Sequence, residues 1–231
     1  MKKIGIIGAM ELEVEALKTQ MTDLCVTTRA GMDFCEGTLN GTAVVVVRCG
    51  IGKVNAALCV QILADLFHVT HVINTGIAGS LNPKLDIGDI LISRDAIHHD
   101  VDVRIFGYPL GEVPQLGVRE FPADEIMAQK ALALCEKEAG FRAISGRVVS
   151  GDQFISDAAV KDRLITEFAG DCTEMEGASI AQGAWLNGLP FLIVRAISDK
   201  ADGSAELDYP TFERMAARNC AKLVHALVKE I

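Results

Sequence analysis

Aromatic side chains are scarce in this chain: one Trp, two Tyr and nine Phe among 231 residues, against a hydrophobic share of 50%. Aliphatic side chains therefore carry the apolar content, which suits a soluble α/β core built on aliphatic strands. Basic charge is short as well. With 22 Lys and Arg against 31 Asp and Glu, the net charge is −9. That balance argues against nucleic acid and against an anionic membrane as partners, since both attract basic surfaces. No apolar run is long enough to span a bilayer. The cysteines (Cys25, Cys35, Cys49, Cys59, Cys135, Cys172 and Cys220) are odd in number, scattered, and contain no C-x-x-C pair. Unpaired, mostly buried thiols in a reducing compartment are expected. Residues 1–10 hold two lysines and an apolar run, as a secretory leader does. Glu11, Glu13 and Glu15 cut that run short and no small-residue cleavage site follows, so a cytoplasmic protein is expected.

What is present is an alternation of strand-like and helix-like segments. Strands are expected at 4–8, 26–30, 34–39, 43–49, 71–75, 87–93, 143–150 and 191–199, from their apolar, β-branched character and flanking turns. Helices are expected at 11–21, 52–66, 122–139, 157–168 (capped by Ser156), 176–186 and 209–229. Residues 100–120 are rich in Gly and Pro without a period and read as a long loop. No repeat or linker interrupts the pattern. The expectation is an α/β fold spanning 1–231 as a single domain, with a mixed, partly closed central sheet flanked by helices.

Segment 191–199 is the most informative. A strand this apolar is buried on both faces, so Arg195 and Asp199 within it must be paired or must do chemistry. An acid at the exit edge of such a strand lies where open α/β sheets keep their active sites. Four further segments carry candidate groups. At 5–13, GIIGAMELE is a strand, a tight turn and a helix start. It lacks the third glycine of a dinucleotide fingerprint and puts acids where phosphate would approach. Glu11, Glu13 and Glu15 read either as favourable helix-dipole placement or as supplying a base at the strand edge. NTGIAGS at 74–80 ends a strand with glycines that let backbone approach a ligand, or is an ordinary turn. SGDQFI at 150–155 ends another strand, with an aromatic and an Ile able to stack on a flat base, or is simply a turn plus an N-cap. TEMEG at 173–177 places two carboxylates around a Met: either a structural partner for Arg195 plus a helix-dipole Glu, or a carboxylate that accepts bonds from a sugar diol. His98-His99 lacks a second ligand cluster, so no metal is expected. Lys53 behind Gly50-Ile51-Gly52 lacks P-loop spacing, and no G-x-S-x-G elbow occurs.

Taken together, GIIGAMELE at 5–13, CGIGKVNAA at 49–57, NTGIAGS at 74–80, HDVDVRIFGYPLGEVP at 99–114, SGDQFI at 150–155, TEMEG at 173–177 and VRAISDKAD at 194–202 resemble the bacterial 5′-methylthioadenosine/S-adenosylhomocysteine nucleosidase family over almost the full length. The resemblance implies a nucleoside phosphorylase-like fold and hydrolysis of an N-glycosidic bond with release of adenine, with no cofactor. It implies Asp199 as the general acid at adenine N7, Glu13 as the base that activates water, and Glu176 as the carboxylate on the ribose hydroxyls, steered by Arg195. Met175 would lie against the sugar, Phe154 on adenine, and Ile155, Ala78 and Gly79 in backbone contact. Ser198 would orient Asp199. Val103, Phe106 and Pro114 match positions that complete a neighbouring subunit's alkylthio pocket, and Tyr209 closes the site. A homodimer acting on a small thio-nucleoside is therefore implied, with no nucleic-acid or membrane partner.

The chain departs from the family at Leu12, where many members have a further glutamate, and at Ile77, where some have serine. For the acid role, burial among Phe191 and Ile197 should raise the Asp199 pKa, while the helix start should keep Glu13 ionised. A futalosine-type nucleosidase, a phosphorylase of the same fold and a non-catalytic nucleoside binder are the rival readings. A phosphorylase needs converging arginines, so Arg48 is the residue to locate.

Overall fold

The computed structural model describes residues 2–137 and 142–231. In chain order the elements are β1 (Ile4–Gly8), α1 (Glu11–Lys18), β2 (Thr22–Arg29), β3 (Met32–Leu39), β4 (Thr42–Arg48), α2 (Lys53–Asp65), β5 (His71–Ser80) and β6 (Ile90–His98). A 3-10 turn at Arg104–Phe106 is followed by β7 (Phe121–Pro122), α3 (Glu125–Lys137), β8 (Ala143–Ser150), α4 (Ala158–Phe168), β9 (Cys172–Glu174), α5 (Gly177–Leu186), β10 (Phe191–Asp199) and α6 (Ala205–Glu230).

All strands join one mixed sheet. β10 pairs with β5 in parallel and with β6 antiparallel. The run β6-β8-β9-β5 thus closes on β10 into a ring, and β1, β4, β3 and β2 extend from β5 to an open edge. The expected partly closed mixed sheet is present. β10 is the seam of that ring, and every one of its residues is buried. α6 packs along β10 and β5, α1 packs on α6, and α2 lies against α5. Six of the cysteines are buried, Cys25 is exposed, and no disulfide joins described residues.

The departures from expectation have local causes. β5 runs on through the glycines to Ser80, because its backbone pairs with both β10 and β9 beyond residue 75. β6 begins at Ile90 and continues to His98, where pairing with β8 carries it past the polar residues Arg94 and Asp95. β2 starts at Thr22. The cap of α4 is Asp157, whose carboxylate accepts the N–H groups of Ala159 and Val160 at 2.8 and 3.0 Å, so Ser156 is not the cap. α6 begins at Ala205 and contains Pro210. β7 and β9 are too short to leave a sequence period. The expected helix over 122–139 begins at Glu125, and positions 138–139 lie outside the described residues.

Candidate active site

Three strand ends converge where the ring meets β1. The turn after β1 leads into α1, and Glu13 folds back from the first turn of that helix. Its Oε2 accepts the N–H groups of Ala9 and Met10 at 2.7 and 2.9 Å, and its Oε1 accepts the Ile77 N–H of β5 at 3.1 Å. Glu11 takes the surface instead, paired with Lys18 at 2.9 Å. Of the acids at this helix start, Glu13 is thus the one that turns inward. Burial raises its pKa, and the Arg195 charge and three backbone donors only partly offset that. The helix start was expected to keep Glu13 ionised; the side chain is 4% exposed, and its burial works against that expectation.

At the other side β10 bulges between Ile197 and Asp199, so Ser198 and Asp199 together face Gly79 of β5. Asp199 accepts the Ser198 hydroxyl at 2.8 Å and the Ala201 N–H at 2.8 Å. Burial raises its pKa, and those two hydrogen bonds work against the rise. The glycines of NTGIAGS have a use beyond the expected close approach to a ligand. A Cβ on Gly76 would stand 2.5 Å from Glu13 Oε1, and one on Gly79 would stand 2.7 Å from Asp199 Oδ1. They make room for the two carboxyl groups.

The pairing of Arg195 also needs correction. Its Nη2 donates to Glu174 Oε2 and to Asn74 Oδ1, not to Glu176. Glu174 further accepts from Ser150 Oγ and from the N–H groups of Glu176 and Gly177 at 3.1 and 2.8 Å. Burial alone would raise the Glu174 pKa, but Arg195 and these donors hold it below the ordinary value. An unpaired guanidinium at this depth would cost ~3–5 kcal/mol, so Glu174 is the structural partner and Glu176 is released from that duty. Glu176 sits at the N-cap of α5, where Oε1 accepts the Gly52 N–H at 2.7 Å. Burial, and then the Glu174 charge, push its pKa up to about 8.

Glu13, Glu176 and Asp199 line one cavity of about 370 Å³, within the usual range for small-molecule sites. Met175, Phe154, Tyr209, Ala78, Gly79 and Ser198 also line it. Phe154 and Tyr209 meet edge to face, ring centres 5.6 Å apart, and the Tyr209 hydroxyl reaches Met10 Sδ at 3.3 Å. Ile155 lines a smaller recess of about 40 Å³ beside Phe154 and Asp199. Arg195 does not reach the cavity and acts only through its partners. Val103, Phe106 and Pro114 do not line it either: they lie in the 100–120 segment, and Phe106 is 76% exposed.

Ala9, Met10, Ile51 and Thr173 line the cavity and were not singled out as site residues. They lie inside the quoted motifs, but their apolar or small side chains carry no chemistry that would single them out. Arg48 is absent from the lining and stands near Glu11 on the surface. Among the described residues no arginine lines this cavity. His98 is buried and bonded to Gln182 at 2.9 Å, and the described residues contain no cluster of metal-ligating side chains.

A mixed sheet closed on a fully buried strand, with carboxyls converging on an apolar cavity, defines an α/β protein with a small-molecule site suited to acid–base chemistry. The Phosphorylase superfamily model matches residues 3–229. The 5′-methylthioadenosine/S-adenosylhomocysteine nucleosidase of Halalkalibacterium halodurans is 42% identical over 229 residues, covering 99% of this chain and 98% of that one. The crystal structure of the same-named nucleosidase of Neisseria meningitidis, in complex with methylthio-immucillin-A, superposes with a TM-score of 0.97 at 38% identity and covers 100% of both chains. The futalosine hydrolase of Helicobacter pylori also superposes, with a TM-score of 0.95 at 32% identity, over 100% of this chain and 98% of that one. The chain belongs to the phosphorylase superfamily and, within it, to the 5′-methylthioadenosine/S-adenosylhomocysteine nucleosidase family.

Proposed function

We propose that this protein hydrolyses the N-glycosidic bond of 5′-methylthioadenosine and S-adenosylhomocysteine, releasing adenine and the thioribose product. The observation that carries the reading is the convergence of Glu13, Glu176 and Asp199 on one cavity. Adenine is a poor leaving group until its ring is protonated. Asp199, whose pKa burial raises and which Ser198 positions, gives its proton to N7 as the bond from C1′ to N9 breaks. Glu13 takes a proton from the water that adds to C1′. Glu176 accepts the ribose hydroxyls, and Met175 lies beneath the sugar. Phe154 stacks on the base, with backbone at Ala78, Gly79 and Ile155 against its edge, while Tyr209 closes the 5′ side. The carboxylates also stabilise the cationic sugar as it forms, in a site from which bulk water is excluded. Arg195 fixes Glu174, on whose carboxylate the Glu176 and Gly177 amides rest.

The reaction as proposed needs no metal or cofactor, and it uses water in place of phosphate. Adenine release from both thio-nucleosides in phosphate-free buffer is the expected result. Strict dependence on phosphate would show a phosphorylase, and turnover of futalosine alone would shift the substrate to the second relative's.

We propose further that residues 1–231 act as one catalytic domain in a cytoplasmic homodimer. Val103, the exposed Phe106 and Pro114, which stand away from this chain's own cavity, would complete the partner's alkylthio pocket. Sedimentation should give twice the chain mass, and Phe106→Ala should raise KM for methylthioadenosine. A fully active monomer would contradict this.

A further inference from the structure

The start of α2 offers its backbone to two carboxylates at once. The Gly52 N–H donates to Glu176 Oε1 at 2.7 Å, and the Lys53 N–H donates to Asp152 Oδ1 at 2.8 Å. Gly52, the residue before this helix, has no side chain to cap it, and no acid stands in the first turn. The cap comes instead from the segment that follows β8. Asp152 is held in turn: its N–H donates to Asp100 Oδ2 at 3.1 Å, while Asp100 Oδ1 pairs with Lys53 Nζ at 2.6 Å. Lys53, Asp152 and Asp100 therefore form a closed ring of polar contacts at the mouth of α2.

That ring bears on the Glu176 carboxylate, whose one hydrogen bond among the described residues comes from Gly52. The two N–H groups flank the Gly52 Cα. Fixing the Lys53 N–H limits rotation about a glycine, the residue type with the widest backbone freedom, and so aims the Gly52 N–H. We propose that Asp152, through its ring with Lys53 and Asp100, is a positioning residue for the Glu176 carboxylate and governs recognition of the sugar hydroxyls. This rests on the reading of Glu176 as the ribose carboxylate. Asp100 opens the 100–120 segment, so the same ring anchors that segment beside the sugar site.

The test is steady-state kinetics on 5′-methylthioadenosine and its 2′-deoxy analogue. Asp152 is exposed, so Asp152→Ala should fold and melt close to the parent. It should raise KM for the ribose substrate about fivefold, the equilibrium equivalent of a lost helix cap, while leaving kcat and the deoxy analogue nearly unchanged. Asp152→Asn, whose amide oxygen still accepts the Lys53 N–H, should restore the parent KM. In a Glu176→Gln background, Asp152→Ala should add nothing. Equal losses on both substrates, or an undiminished loss in that background, would overturn the inference. Parent turnover that ignores the 2′-hydroxyl would overturn the ribose role of Glu176 itself, and the inference with it.

Discussion

Glu176 illustrates how much a buried carboxyl depends on its neighbours. Glu174 lies two residues away, in the same motif, yet Arg195 and a set of donors hold its pKa down while Glu176 rises to about 8. The two share a residue type, so the sequence alone could not say which of them Arg195 chooses. The three-residue strand β9 decides it by turning Glu174 toward Ser150 and Arg195. The raised pKa has a consequence for stability. A carboxyl whose folded pKa exceeds its unfolded value contributes stability below pH ~4.5 that is lost as pH rises through about 8, because the folded state holds the proton longer. Glu176→Gln removes that dependence. Measured by denaturant unfolding without ligand, the variant should gain on the parent between pH 5 and 8 by on the order of a few kcal/mol. A pH-independent difference between the two would contradict the burial argument.

Elements differ in how openly the sequence declares them. β10 is legible because so apolar a run must be buried, and α2 because Ala and Leu recur at helical spacing. Partial closure of the sheet was expected, but which strands close it, β6-β8-β9-β5 on β10, is not legible, since pairing between distant strands leaves no local signal. The end of β5 was partly legible: its glycines marked a close approach, but what approaches is Glu13 and Asp199, which belong to α1 and β10. Gly76 thus leaves room on β5 for the Glu13 carboxylate. Gly76→Ala should preserve the fold and displace the Glu13 carboxylate, whose Oε1 stands 2.5 Å from the added Cβ position. A shift near 1 Å in a reacting group costs on the order of 10²-fold in rate. The check is kcat beside a circular dichroism melt; an unimpaired kcat would show that Glu13 tolerates the move.

At the scale of the molecule, the ring of strands brings Asp199 of β10 and Glu13 of α1 to one cavity, with burial acting on both. Burial raises both carboxyl pKa values, and what differs is the offset. Glu13 has Arg195 and three backbone donors, whereas Asp199 has one backbone N–H and the Ser198 hydroxyl. Different surroundings of this kind are how two carboxyls divide acid and base work at one pH, the roles proposed above for Asp199 and Glu13. The most direct measurement is turnover of 5′-methylthioadenosine in phosphate-free buffer by Asp199→Asn and Glu13→Gln, with adenine binding followed in parallel. Each variant should lose ~10²–10⁴ in kcat and still bind adenine. Parent-like turnover in either would contradict the assignment of acid and base to these two residues.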